Sequence, residues 1–393
     1  MNDDAAKRTT WSLLAGVIAA VSVFAIAQGL TYPLLSFILA EQGVSPTMIG
    51  LSAAMTPLGL IVSSVFVPWL AKRLGPATLV LNSVWLATLT LALIAIIPNV
   101  IAWFPLRFLL GAAINPLFVL SEAWMIVMAA PHQRGRAMGI YAATISAGYA
   151  AGPLTLAFVG STGLTPFLIG IGAFVICGLC LAVIRNRLPN LTDGGPQASV
   201  RNFVGKAPTL LFAVILAAAF EQAYLSLFPP YGLAYALSEA EIATLLSVLI
   251  VGNVVIQIPL GLAAEVWRPR IVLIVISALT AIGCLLQPVV MGTPLMWVLA
   301  FCLGALSYGA YTLALVELGD RFSGPMLVAG NSAFALMWGL GSMGGPLATG
   351  AIMDVSGIQA LPLTFGALLI VFVLVAIVRS PEPATRAIGF RQR

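Results

Sequence analysis

The segment AMGIYAATISAGYAAGPLTLAFVGSTGLTPFLIGIGAFVICGLCLAVI, Ala137 to Ile184, runs 48 residues without a charged side chain. A helix needs about 20 mainly apolar residues to cross a hydrocarbon core about 30 Å thick, so the window is too long for one span. Its most polar interruption, Ser161-Thr162-Gly163, falls near the middle. The stretch reads as two spanning helices joined by a turn, and that reading sets the fold class: an all-α integral membrane protein.

The rest of the chain divides the same way. Ile271 to Val316 holds 46 uncharged residues with a break at Gly292-Thr293-Pro294, a second helical hairpin. Thr9–Ala40, Gln42–Ala71, Ile242–Ala264, Phe322–Met353 and Val355–Val378 each hold one span. The window from Leu74 to Leu106 breaks at Pro98-Asn99, giving a third helix and the start of a fourth that carries Arg107 and ends near Met128. A seventh runs from Pro208 to about Pro230, interrupted by Glu221. The expected total is twelve. Composition agrees, because 61% of the 393 residues are hydrophobic and 8% charged, against roughly a quarter charged in soluble proteins. A soluble enzyme is excluded. The 37 Gly and 25 Pro suit membrane helices, which tolerate both.

Alternating the loops between two sides places Lys7, Arg8, Lys72, Arg73, Arg134, Arg136, Arg185, Arg187, Arg201, Lys206, Arg268, Arg270, Arg321, Arg379, Arg386, Arg391 and Arg393 on one face. That face collects 17 of the 18 basic residues, the last being Arg107 inside a span. The opposite face carries only Glu41, Glu239, Glu241 and Asp354. Basic loops stay in the cytoplasm, so both termini are expected there, in a bacterial inner membrane. The net charge of +5 is this topological signal and does not point to nucleic acid. No cleavable signal peptide is expected, because the first apolar stretch is long enough to span and lacks a small-residue cleavage site. Cys177 and Cys180 form a C-x-x-C inside a span without acidic or His companions, which reads with Cys284 and Cys302 as packing; His132 reads as a solvated loop residue.

The sequence also repeats itself at an offset of 193 residues without gaps. Leu106, Phe108, Leu110, Gly111 and Ala112 return as Leu299, Phe301, Leu303, Gly304 and Ala305. Gly148, Gly152 and Pro153 return as Gly341, Gly345 and Pro346, and Ser45 and Ile49 as Ser238 and Ile242. The chain thus reads as two six-helix halves, residues 1–184 and 208–393, with 185–207 as a polar linker. A parallel repeat of this kind places a site near the midplane between the halves, with access alternating as one half rocks against the other.

These residues resemble the major facilitator superfamily over essentially the whole chain. Leu70-Ala71-Lys72-Arg73-Leu74-Gly75 is similar to the family's G-x-L-A-D-R-x-G-R loop, with a second copy at Gly261-Leu262-Ala263-Ala264-Glu265. Arg107 to Gly111 matches its Arg-x-x-x-Gly pattern, and Gly148–Pro153 and Gly341–Pro346 its Gly-x-x-x-Gly-Pro. Ser121-Glu122-Ala123-Trp124 followed by Arg134-Gly135-Arg136-Ala137 resembles the YcaD-like bacterial subgroup most. The first loop departs from the family, with Pro68 for Gly and Lys72 for the acidic residue. The resemblance implies transport by alternating access, a proton-coupling role for Arg107, and a central cavity lined by the first helix of each half.

An ionisable residue deep in a span is a functional candidate by default. Glu221 lies about 13 residues beyond Pro208, roughly 20 Å along the helix. Its repeat mate is Gln28, so the halves offer a carboxyl and an amide at equivalent positions. Arg107 has Ala300 as its mate, so the fold does not require it. Glu221 and Arg107 are the proton-coupling candidates. Gln28, Tyr32, Asn115, Gln222, Tyr224, Tyr308, Tyr311, Asn331 and Trp338 are the substrate-cavity candidates, Asn115 and Tyr308 being repeat mates. Glu122 and Glu317, near the basic face, and Glu265 read as gating or structural, as do Gly148, Gly152, Pro153, Gly341, Gly345 and Pro346, whose small residues let helices approach closely.

The function these features predict is secondary transport of a small organic solute, in the leading version proton-coupled efflux of an amphipathic or cationic compound, since one deep carboxylate among aromatic rings suits such a ligand. The alternatives are uptake of an anionic metabolite with Arg107 as counter-ion, and a non-transporting assembly factor. No nucleotide motif, nucleophile–base pair or metal cluster is present in the sequence, so neither an enzyme nor a cofactor is expected. The expected partners are the substrate, protons and the bilayer, and the expected state is a monomer.

Overall fold

The computed structural model describes residues 2–129, 134–191 and 203–379; His132 and most of the linker lie outside them. Twelve long helices occur among the described residues: α1 (Asn2–Glu41), α2 (Pro46–Leu74), α3 (Pro76–Ile96), α4 (Val100–Met128), α5 (Arg134–Val159), α6 (Thr165–Ile184), α7 (Pro208–Leu233), α8 (Glu239–Val266), α9 (Pro269–Val290), α10 (Leu295–Arg321), α11 (Gly324–Ser356) and α12 (Ala360–Val378). Eleven are long and apolar enough to cross a membrane; the other, α11, is diluted by glycine and small polar residues. The protein is a multi-pass membrane protein.

The predicted breaks fall where the helices end, for local reasons. Asn99 accepts from the amides of Ile101 and Ala102 and so starts α4. Ser45 accepts from Met48 N at the head of α2, and Ser238 and Glu241 cap each other at the head of α8. Gly75, at φ +79°, turns the chain between α2 and α3 in a conformation a side chain would resist. Helix α1 starts at Asn2, so the uncharged window Thr9–Ala40 lies wholly within it.

The 193-residue repeat is present in the packing. A methyl group on Gly59 would strike Phe108 O and one on Gly111 would strike Thr56 O, which brings the backbones of α2 and α4 together. In the second half Gly252 meets Phe301 O and Gly304 meets Leu249 O, joining α8 to α10 at equivalent positions. Gly148 abuts Ser22 O and Gly152 abuts Gly29 and Leu30, so α5 lies on α1; Gly341 abuts Ile215 O and Gly345 abuts Ala219 O, so α11 lies on α7. Trp124 and Glu317 are also repeat mates, and each ties down the chain at the end of the last helix of its half. Trp124 donates from Nε1 to Pro189 O at 3.0 Å. Glu317 pairs with Arg321 at 3.1 Å and Arg270 at 3.7 Å, and Arg270 donates to the carbonyls of Ala376 and Arg379 at the end of α12.

The halves meet along α2 with α11, α5 with α8, and α1 with α7. At the face opposite the termini, the contact is backbone on backbone: Gly50 abuts Pro346 O and Gly350 abuts Pro46 O. There Thr47 N donates to Asp354 Oδ2 at 3.0 Å, and Ser161 N donates to Glu239 Oε2 at 2.9 Å. The α2–α11 seam continues to Gly339 against Ile61, and beyond it Val65, Phe66 and Trp69 of α2 and Leu336 of α11 are exposed. The seam is closed by backbone contact on the face away from the termini and ends toward them in exposed apolar side chains.

Candidate functional site

Four helices from both halves converge on one carboxylate. Glu221, midway along α7, lies within electrostatic reach of Tyr32 of α1, Tyr149 of α5 and Tyr308 of α10. Among the described residues its carboxylate has no ion-pair partner and no hydrogen bond to Gln28, which is itself 1% exposed on α1. Tyr308 presents a buried hydroxyl with no hydrogen-bond partner. A phenol and a carboxylate left unpaired in hydrocarbon each forfeit about 1–3 kcal/mol, so both are groups held ready for something else.

Arg107 sits one layer behind this group. It is 1% exposed, donates from Nη1 to Ser52 Oγ of α2 at 3.3 Å, and holds its guanidinium over the Tyr32 ring at 5.7 Å. Tyr32 in turn bonds the Thr56 side chain. The Nε of Arg107 has no partner. The cation therefore reaches this group of residues through the face of Tyr32.

The remaining sequence candidates separate by the face of the helix they occupy. Tyr224 stacks on Phe220 with ring centroids 4.0 Å apart and donates to Gln287 of α9 at 2.6 Å, inside the second half. The reason is helical phase, since Tyr224 lies about 40° around α7 from Phe220, whereas Glu221 lies about 100° away. The Asn115 amide donates to Ser63 Oγ of α2 at 3.0 Å and joins helices within the first half, while its repeat mate Tyr308 lies within electrostatic reach of Glu221. Gln222 is buried with its Nε2 unpartnered. Nearer the termini, Tyr311 and Trp338 pack edge to face at 4.7 Å, Asn331 is exposed on α11, and Glu122 is exposed on α4. Glu265 falls in α8, but its side chain is outside the described set.

Tyr149 is a site residue that sequence reasoning misses. Its signal is adjacency: it follows Gly148, and its carbonyl rests on Gly29, the residue after Gln28. The close approach that the glycines permit carries the tyrosine ring to the centre.

The family model described as Major Facilitator Superfamily matches residues 17–209 and again 210–393. The chain belongs to the Major Facilitator Superfamily. Among curated relatives, the uncharacterized MFS-type transporter YfkF of Bacillus subtilis is 26% identical over 349 residues, 86% of this chain and 88% of that one. YcaD of Escherichia fergusonii, also an uncharacterized MFS-type transporter, is 24% identical over 80% of this chain and 82% of its own. Among solved structures, the nucleoside transporter NupG superposes with a TM-score of 0.76 at 13% identity, covering 93% of this chain and 98% of that one. A bacterial homolog of the human lysosomal transporter Spinster, in an inward-facing and unoccupied conformation, gives 0.70 at 16% identity over 93% and 95%. The superfamily fold is thus shared, and the protein is a secondary transporter, not an enzyme.

Proposed function

We propose that this transporter exports an amphipathic organic cation from the cytoplasm in exchange for protons, with Glu221 as the group for which the two compete. The observation that carries the reading is a carboxylate without a counter-charge, set among Tyr32, Tyr149 and Tyr308 from both halves. Aromatic faces attract cations, and an unpaired carboxyl in hydrocarbon is satisfied either by a proton or by a cationic ligand. If each expels the other, the binding free energies are linked with opposite sign, which is what exchange requires. Arg107 bears on the same group of residues through the face of Tyr32.

In this reading the halves, residues 1–184 and 208–393, rock about the central group with 185–207 as the tether. The basic loops support an inner-membrane location with both termini in the cytoplasm, so the shut face is periplasmic and the open mouth cytoplasmic. The functional unit is the monomer, since the site is complete within one chain.

Reconstituted protein tests this directly. A permeant aromatic cation should accumulate in inverted vesicles when a proton gradient is imposed. Glu221→Gln, which fixes the protonated shape, should abolish both cation binding and proton-driven movement while leaving the protein folded. Wild-type vesicles that move an anion and no cation would favour Arg107 as the counter-ion and overturn the reading.

A further inference from the structure

The second half is hollow where the first is filled. Helices α7, α9, α10 and α12 enclose a cavity with about 10 Å³ of room for the centre of a water molecule. Phe220 of α7 and Ser307 of α10 line it, and the residues that follow them are Glu221 and Tyr308 of the central group. Phe365 and Phe372 of α12 form another wall. The repeat accounts for the space. Ala217 and Ala310 line the cavity, and their mates 193 residues earlier are Phe24 and Leu117. Phe24 is buried and packs on Phe118 and Phe174, with ring centroids 5.3 Å away in each case. The fold can therefore fill this place with side chains, and in the second half it does not.

Three hydroxyls reach the same cavity. Ser277 and Thr280 come from α9 and Ser307 from α10, helices that pack against each other. All three residues are buried, and their mates Val84, Ala87 and Ile114 have apolar side chains. Two of the hydroxyl protons are already used. Thr280 donates to Ile276 O at 2.7 Å and Ser307 to Leu303 O at 2.6 Å, each within its own helix. Such bonding back to the preceding turn satisfies a hydroxyl locally. Ser277 departs from it, because its Oγ has no hydrogen-bond partner among the described residues. One donor thus stands unused in the same cavity as two oxygens that can still accept.

We infer that this cavity is a binding site for one structural water molecule. Room and chemistry agree on that ligand. A water needs at least about 10–15 Å³ of such room and two to four polar partners. Its two hydrogens go to Thr280 Oγ1 and Ser307 Oγ, and its oxygen accepts from Ser277 Oγ, so that every hydroxyl proton in the cavity has an acceptor. The water ties α9 to α10 one residue before Tyr308, at the station where the first half relies on apolar packing around Phe24. It belongs to the second half whichever solute crosses the centre.

The test is X-ray footprinting of the full-length protein in detergent. Irradiation converts a bound water into a hydroxyl radical, which labels the side chains that touch it. Phe220 and Phe365 are buried, as Phe24 is, so bulk water reaches none of the three rings. Mass spectrometry of the wild type should find Phe220 and Phe365 hydroxylated several-fold above Phe24. Ser277→Val installs the residue that the first half carries as Val84 and fills the space, and should bring both rings down to the Phe24 level. Ser277→Ala, which cannot fail by crowding, removes the one free donor and should lower the labelling as well. Wild-type rings labelled no more than Phe24 would show a dry cavity and overturn the site. Labelling that survives Ser277→Val unchanged would overturn it too, since the water would then be held by other groups.

Discussion

The two ends of the seam between the halves are built from different materials. On the face away from the termini, α2 and α11 touch through Gly50, Pro346, Gly350 and Pro46, backbone against backbone, and two carboxylates accept main-chain amides across the divide. Toward the termini the same two helices present Val65, Phe66, Trp69 and Leu336, and these are exposed. Backbone contact tolerates no adjustment, since a carbonyl held in a helix cannot turn aside as a side chain can. Bulky apolar side chains can re-pack. The shut end is therefore specified by shape, and the parted end is left free to close by rearranging side chains.

The sharpest way to break that difference is to put side chains into the shut end. Gly50→Leu places carbon on Pro346 O, where neither backbone can give way, so closure on this face should be lost. Overpacking of this kind costs about 1–3 kcal/mol, and about 1.4 kcal/mol is already tenfold in a two-state balance. A cysteine at Tyr149 should become reactive toward an impermeant thiol reagent from the terminus-distal side, and transport should fall by at least tenfold. Gly139→Ala, in α5 at the parted end with no atom near a Cβ, should leave both unchanged. Equal effects at the two glycines would mean that the seam is not what holds the state.

A smaller effect separates acids that bridge the halves from an acid that does not. Asp354, near the end of α11, accepts from Thr47 N in the first turn of α2, which is a capping contact made by the other half. Glu241 makes its capping contact within its own helix, to Ser238. Loss of a cap costs about 1 kcal/mol in either case. Asp354→Ala should spend that cost on the balance between open and shut, several-fold toward opening, as read from the same cysteine. Glu241→Ala should lower the melting temperature and leave the balance where it was. If Glu241→Ala also opens the seam, the distinction between bridging and local acids fails.

Sequence reading reaches the helices, their breaks and the repeat because each rests on a pattern that lipid imposes: span length, uncharged windows and loop charge. Helix facing is harder. A soluble helix announces its buried side by an apolar stripe, but a membrane helix is apolar on the lipid side and on the packed side alike, so phase is not written in hydropathy. That is why Tyr224 and Asn115 read as central residues and Tyr149 does not. Glu221 is legible because a charge inside a span has few reasons to be there. Tyr311 and Trp338 belong to different helices, and only the fold sets their rings together. The contact of Gly50 with Pro346 is hidden for the same reason, since neither residue repeats the other at 193.

The mildest expected effect is on pH, and it sharpens the comparison because only the shut end can show it. Glu41 at the end of α1 and Glu239 at the start of α8 face each other across the halves closely enough to share one proton, which raises the proton affinity of Glu41 and lowers that of Glu239, and Glu239 also accepts from Ser161 N. Two carboxylates cannot hydrogen-bond unless one proton stays between them. The other charged groups of this face are engaged elsewhere, Asp354 with Thr47 and Glu241 with Ser238, and its loops carry no Lys or Arg. When the halves part, each carboxyl titrates as a solvated glutamate, near pH ~4.3. Through the raised range of Glu41 the shut form then holds more protons than the open form, so lowering the pH on this side favours closure; at lower pH, where the open form takes up both protons and Glu239 of the shut form still resists its own, the dependence reverses. Both groups are at the surface, so the swing should be a few-fold, should lie just above the ordinary glutamate range and should shrink with salt. Glu41→Gln supplies the bridging hydrogen from its amide without a titratable proton, and should keep the face shut while removing the pH dependence; Glu41→Asp should preserve the dependence if the shorter side chain still reaches. A Glu41→Gln protein whose opening still follows pH would place the sensing proton elsewhere, with Glu221 the remaining candidate.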